Sequence, residues 1–137
     1  MLNESQKNSI KYSQNREYSH FLYYLCNVIE NEMLVLFDKD YLCKLYETES
    51  SGDKKHQFQP QIIRKYIRVV DLMISVPNVL SLMKYHSLHY KKLSGNKIGL
   101  SSVRINDQYR IEFEERKNEN ETIATICNIV ELSNHYK

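Results

Sequence analysis

The sequence has few residues that cross-link a fold or interrupt its helices and strands. Among its 137 residues it has no Trp, three Gly, two Pro and three Cys. Cys26, Cys43 and Cys127 are far apart and odd in number, and no Cys or His pair has the spacing of zinc ligands. Neither a disulfide framework nor a structural metal site is therefore expected. We expect a protein without a cofactor, in a reducing compartment.

Long apolar runs are also missing. The longest, Phe21–Ile29, is interrupted by Asn27 and is much too short to span a bilayer. It lacks the basic segment before it and the small-residue cleavage site after it that a secretory signal would have. These absences predict a cytoplasmic protein that makes no membrane contact.

The charge that the chain does carry is segregated. The net charge is only +2, but residues 60–110 hold nine Lys or Arg against Asp71 and Asp107, and the segments on either side are net acidic. A basic middle indicates a polyanion binder, although a solvated helix face explains part of it. The eleven Tyr suit stacking on nucleobases and equally suit half-buried surfaces.

Hydrophobic periodicity predicts helices in the first part of the domain. The apolar run 33–37 has strand length, and Asp38 is a good N-cap for a helix through Tyr46. Pro60 suits the first turn of a second helix, whose apolar stripe ends before Pro77. Asn78 can cap a short third helix.

From residue 88 the apolar period changes to two. This pattern predicts strands at 88–93, 100–105, 109–115 and 123–132. Together they predict an α+β fold, in which an N-terminal strand and two to three helices pack on a mainly antiparallel sheet of four to five strands. We expect one domain over residues 33–137, preceded by an extension, residues 1–32, whose apolar residues recur at helical spacing.

The hairpin around residues 103–113 predicts a pair of opposed arginines. Its apolar residues share one face only if a three-residue loop places Ile105 opposite Tyr109. That register sets Arg104 opposite Arg110 on the other face, where like charges repel. An anion between them would compensate, because Arg is well shaped to grip a phosphate. Neighbouring carboxylates such as Glu112 are the alternative compensation.

The residue types on this side of the sheet suit metal-independent RNA cleavage. No nucleophile elbow, phosphate-cradling Gly loop or metal-ligand helix is present in the sequence. Arg, Lys, His and Tyr remain. Such groups can remove the ribose 2′-OH proton, stabilise the phosphorane and protonate the 5′ leaving oxygen.

The segment Gly99-Leu-Ser-Ser-Val-Arg-Ile-Asn-Asp-Gln-Tyr-Arg-Ile-Glu-Phe113 resembles the signature of HigB-type toxins, and the last eleven residues are similar to the C-terminus of a subgroup. The resemblance extends over about residues 33–137. It implies a RelE-like fold, cleavage of mRNA in the ribosomal A site with contacts to rRNA, and neutralisation by a HigA-like antitoxin.

The same resemblance implies roles for individual residues. Arg104 and Arg110 match the signature arginines as catalytic groups, and Tyr109 matches the aromatic residue before the second arginine. His135 and Tyr136 resemble the terminal catalytic Tyr/His pair in reversed order, with His135 as candidate acid or base.

The expected RNA-binding residues include lysines as well as an aromatic residue. Lys91 or Lys92 is expected to replace a family lysine whose position holds Ser94, and Lys92 is the one to which we assign backbone affinity. The RNA-binding set is then Lys91, Lys92, Lys97 and Tyr109.

Two other functions remain open on the sequence. A toxin of the ParE type would use the same fold to inhibit DNA gyrase, and a non-catalytic module would only bind RNA or the ribosome. The C-terminal His-Tyr on a basic face favours cleavage, because an inhibitor of a protein target has no need of it.

Overall fold

The computed structural model describes residues 32–134. The expectations for residues 1–31, and for His135 and Tyr136, lie outside the described residues. The strands are β1 (Leu34–Phe37), β2 (Lys91–Lys92), β3 (Leu100–Arg104), β4 (Tyr109–Arg116) and β5 (Ile126–Asn134). The helices are α1 (Asp40–Thr48), α2 (Pro60–Ser75) and α3 (Val79–Met83), with single 3-10 turns at His86–Leu88 and Gly95–Lys97.

The five strands form one mixed sheet in the order β1-β5-β4-β3-β2. Only β1 pairs in parallel, with β5, and the other neighbours are antiparallel. Helices and sheet share a single hydrophobic core, in which Val103, Ile111 and Phe113 of the sheet are fully buried. The α+β prediction is confirmed, with three described helices and five strands.

The helices form where the apolar spacing predicts them. α2 buries a stripe that includes Ile62, Tyr66 and Val70, and Tyr66 donates a 2.8 Å hydrogen bond to the carbonyl of Leu42 in α1. A stripe at this spacing is what a helix needs to pack on a core. Asn78 caps α3 as predicted, because its side chain accepts the N–H of Ser81.

The structure corrects three local predictions. α1 begins at Asp40, with Lys39 and not Asp38 at the N-cap. The strand expected at 88–93 is reduced to two residues, because His89 adopts a left-handed conformation with φ of 45°, which an extended strand excludes. The last strand begins at Ile126 and not at residue 123.

No helix in residues 32–134 has the length and apolar content needed to cross a membrane.

Candidate functional site

The predicted hairpin register is confirmed. Arg104 at the end of β3 lies opposite Arg110 near the start of β4. The loop between them is fixed by Asn106, whose side-chain oxygen accepts the backbone N–H groups of Gln108 and Tyr109 at 2.9 and 2.7 Å. Side chains alternate along a strand, and the neighbours Val103 and Ile111 are buried in the core, so both arginines lie on the opposite face of the sheet.

We call this side the arginine face, defined by Ser102 and Arg104 on β3 and by Arg110 and Glu112 on β4. The other side, on which Val103, Ile111 and Phe113 pack with the helices, is the core face.

The two arginines have different surroundings. Arg104 forms an ion pair with Asp107, and its guanidinium also lies 3.5 Å from Nε2 of His89. Arg110 forms no ion pair with any described residue, and its Nε is buried without a hydrogen-bond acceptor among them. A buried cationic donor without a partner is costly, so an anionic ligand at this position would be well bound. The alternative of neutralisation by carboxylates therefore holds for Arg104, through Asp107, but not for Arg110.

A second row of polar residues lies next to the arginines on the same face. Glu112, only 7% exposed, binds the ammonium of Lys97 at 2.7 Å. Directly opposite Glu112 is Ser102, which is completely buried and whose hydroxyl has no hydrogen-bond partner in the described chain. This row is thus charged, largely removed from solvent and incompletely satisfied.

The expected RNA-binding lysines do not all lie on this face. Lys91 pairs with Ser102 and so shares the arginine face, whereas Lys92 pairs with Ser101 and points to the other side. Lys97 reaches the arginine face from the turn between β2 and β3. The structure thus brings Lys91 and Lys97 to the arginines and separates Lys92 from them.

Tyr109 lies on the core face, where its ring packs edge-on against Phe58 with ring centroids 5.7 Å apart. It lines a cavity of about 430 Å³ between residues 55–58 and the end of β5. The expected contact of Tyr109 with RNA thus has no support from its position beside the core. β5 ends at Asn134, opposite Tyr109, and His135 and Tyr136 follow it in the sequence, outside the described residues.

His89, which is not among the residues predicted from the sequence, lies beside Arg104. The side chain is exposed, because the left-handed residue follows the 3-10 turn whose Leu88 is buried. An imidazole beside a guanidinium can hold or move a proton at the end of the arginine row.

A separate polar cluster on the core face joins α1 to β5. The Tyr41 hydroxyl donates to Glu131, which also binds Lys39 at 2.8 Å, and the His56 ring stacks on Tyr41 with centroids 3.8 Å apart. Burial raises the pKa of Tyr41 well above its ordinary value, and the bond to Glu131 adds to this. Burial would raise the pKa of the Glu131 carboxyl, but hydrogen bonds from Lys39 and Tyr41 outweigh it and the pKa is lowered.

An additional residue in β5 accounts for the position of Glu131. Glu112 pairs with Glu131 and the next residue, Phe113, pairs with Ile129, so Val130 is an extra residue in β5. Such a bulge redirects neighbouring side chains. Glu131 consequently directs its carboxylate to Tyr41 and Lys39, although Glu112, its partner in the register, binds Lys97.

One face of the sheet in this small α+β domain packs against the helices, and the other carries cations from β2, β3, β4 and the turn at Lys97. Cations grouped on one face define a class of protein that can bind a polyanion. A family model described as "RelE-like toxin of type II toxin-antitoxin system HigB" matches residues 35–127. The match covers more than half of the chain and includes both arginines, and the chain belongs to this family of HigB-like toxins.

Other comparisons add little. A solved structure described as a YoeB/ParE toxin from Agrobacterium tumefaciens is similar at 13% sequence identity with a TM-score of 0.44, covering 76% of this chain and all of that one. Comparison with curated proteins gave no significant match. The family implies that this toxin of a type II toxin–antitoxin system has an antitoxin as its partner.

Proposed function

We propose that this toxin is a ribosome-dependent mRNA endonuclease that cuts without a metal ion, by attack of a ribose 2′-OH on the adjacent phosphorus. Toxins of this family are generally mRNA endoribonucleases. The observation that carries the proposal is Arg110, a cation with a buried, unpartnered Nε directly opposite a second arginine. A phosphate between Arg104 and Arg110 would supply the missing acceptor and relieve their repulsion.

The arginines would act on the transition state more than on the ground state. Negative charge accumulates on the phosphoryl oxygens as the phosphorane forms, and donors already fixed in place stabilise that charge without reorganising. The hairpin fixes both backbones, because Arg104 and Arg110 occupy a paired row next to the loop held by Asn106.

Proton transfer needs further groups at the same place. His135 is our candidate acid or base from the sequence, with Tyr136 as its neighbour for positioning or stacking. The structure adds His89 as a second candidate, since its imidazole lies next to Arg104. Of the three lysines expected to bind RNA, Lys91 and Lys97 lie on the arginine face and would contribute affinity for the RNA backbone, whereas Lys92 points to the other side.

Dependence on the ribosome follows from the weakness of the isolated site. The described residues of the arginine face include no dyad of a nucleophile and a base, so that placement of the mRNA by the ribosome would supply much of the rate. The proposed partner that blocks the face is a HigA-like antitoxin, which would silence the toxin by occupying or distorting this face.

The test compares naked mRNA with the same mRNA on translating ribosomes, in the presence of a chelator and with the 5′ ends mapped. We expect cuts in the A-site codon on ribosomes and much slower cutting of naked mRNA. Equal cutting of both would contradict ribosome dependence. Growth arrest without any mRNA cleavage, together with inhibited DNA gyrase, would replace the proposal by the ParE-type activity.

A further inference from the structure

Glu112 is an unusual residue for a face that binds a polyanion. It lies two residues from Arg110 on the same face of β4, a separation of about 7 Å along the strand. It is diagonal to Arg104, and its side chain is 9% exposed. A carboxylate so far removed from solvent needs a compensating partner.

The ion-pair partner of Glu112 is Lys97, a long side chain at the surface. Lys97 belongs to the turn between β2 and β3, so that its side chain must cross β3 to reach Glu112 on β4. Ser102, the residue of β3 that pairs with Glu112, is completely buried on this face. The Lys97 side chain is itself 46% exposed. A long lysine at the surface can exchange one anion for another at little cost.

We infer that Glu112 is the general base that takes the proton from the attacking ribose 2′-OH, and that it becomes accessible when Lys97 transfers its ammonium from Glu112 to a phosphate of the bound RNA. The inference rests on the proposed function, and it gives Glu112 a role in catalysis beyond the charge compensation expected from the sequence.

The proposed step transfers protons only between the RNA and side chains of this protein. The Glu112 carboxylate accepts the 2′-OH proton as the bond from the 2′-oxygen to phosphorus forms and the bond from phosphorus to the 5′-oxygen breaks. Arg104 and Arg110 hold the charge on the phosphoryl oxygens, and the imidazolium of His89, which lies beside Arg104, donates its proton to the 5′-oxygen. The products are a 2′,3′-cyclic phosphate and a free 5′-hydroxyl.

The two rows are close enough for one nucleotide to contact both. Glu112 lies about 7 Å along β4 from Arg110, and the proposal places the scissile phosphate at the arginines and the attacking 2′-OH at the second row.

The charged residues around Glu112 are mostly cations. These are Lys97 from the turn, Lys91 on β2, Arg104 on β3 and Arg110 on the same strand. The carboxylate of Glu114 on β4 is bound by Arg116, and that of Glu131 on β5 is directed to Tyr41 and Lys39. Glu112 thus lies among cations that could equally bind the phosphate groups of RNA.

The test is single-turnover cleavage of ribosome-bound mRNA across a range of pH, with Glu112→Gln compared with Glu114→Gln. The amide can still accept from Lys97, so the fold should survive, but it cannot take a proton. We expect Glu112→Gln to lower the rate by about 10²–10⁴-fold and to remove the acid limb of the rate–pH profile. Glu114→Gln, whose side chain pairs with Arg116 one row further from the arginines, should cut at the wild-type rate.

A second variant covers the case in which Glu112→Gln does not fold. Lys97→Met removes the cation that the proposal moves to the RNA phosphate and keeps the carboxylate, so it should weaken RNA binding several-fold and retain the acid limb. Unchanged RNA binding by Lys97→Met, or a folded Glu112→Gln protein that cuts within about threefold of the wild-type rate with its acid limb intact, would overturn the inference. Failure of the wild-type protein to cut would instead refute the proposed function itself.

Discussion

The two faces of the sheet are both buried at their centre, but by opposite means. On the core face, Val103, Ile111 and Phe113 are excluded from water by apolar side chains of the helices. On the arginine face, Ser102 and Glu112 are nearly as buried, yet around them are charges and two unpartnered polar atoms. Residues adjacent in the chain are therefore buried in opposite environments, one apolar and one charged, and the difference teaches that burial alone does not identify a residue of the hydrophobic core.

The largest change in stability that tests this contrast is expected on the core face. Phe113→Ala should lower the free energy of unfolding by about 3–5 kcal/mol, because Phe113 is fully buried and a cavity would remain. Urea denaturation measures it. The control is Glu114→Ala, the next residue and on the other face, for which we expect about 0.5 kcal/mol or less. Similar losses for the two variants would contradict the division between the faces.

A smaller loss is expected at the polar cluster beneath β5. Tyr41→Phe removes the donor to Glu131 and leaves that carboxylate with Lys39 alone. The loss of unfolding free energy should be about 1–3 kcal/mol, the usual cost of an unsatisfied group that is partly buried. Tyr85→Phe is the matched control, because Tyr85 is exposed, and it should be neutral. An equal loss of unfolding free energy in both variants would show that the cluster does not stabilise the fold.

The same cluster predicts how stability depends on pH. The pKa of Glu131 is lowered in the folded protein by Lys39 and Tyr41 against the effect of burial, so its contribution to stability is present above its unfolded pKa and is lost as the pH falls through its folded pKa. Glu131→Gln cannot titrate. The stability advantage of wild type over Glu131→Gln, measured by urea denaturation, should therefore shrink on acidification, and a constant advantage would contradict the assignment.

The smallest effect separates neighbouring lysines. Lys91 shares the arginine face and Lys92 does not, although each is exposed. Lys91→Ala should weaken binding to RNA several-fold and reduce the slope of log affinity against log salt by about 1, as the loss of one phosphate contact does. Lys92→Ala should leave both unchanged. Titrations of RNA binding at several salt concentrations measure both quantities. A larger loss of affinity in Lys92→Ala than in Lys91→Ala would contradict RNA binding on the arginine face.

The sequence predicted those features that depend on local pattern. Alternation of Val103, Ile105, Tyr109 and Ile111 was enough to set the hairpin register and thus the opposed arginines, since a shift by one residue would have exposed the apolar set. Helix α2 followed likewise from one apolar stripe. The placement of Asn78 as a cap needed only the residue itself and the proline before it.

What the sequence did not predict depends on the path of the chain between elements. The left-handed conformation of His89 shortens β2 and brings its ring to Arg104, and no periodic pattern encodes that. The pairing of Lys97 with Glu112 requires a side chain that reaches from the turn before β3 to β4, and the pairing of β4 with β5 includes a bulge at Val130 beside Glu131. These are tertiary consequences, so the second polar row could be found only in the structure.

The central claim is that the arginine face cuts RNA while the core face holds the fold. The most direct measurement is the cleavage rate of ribosome-bound mRNA by Arg110→Ala, made beside the unfolding free energy of the same preparation, with Arg116→Ala as a control at the far end of β4. We predict a rate about 10²–10³-fold below wild type, as for loss of one donor to a transition-state oxyanion, with stability unchanged or raised. A folded Arg110→Ala protein that cuts as fast as wild type would contradict the claim.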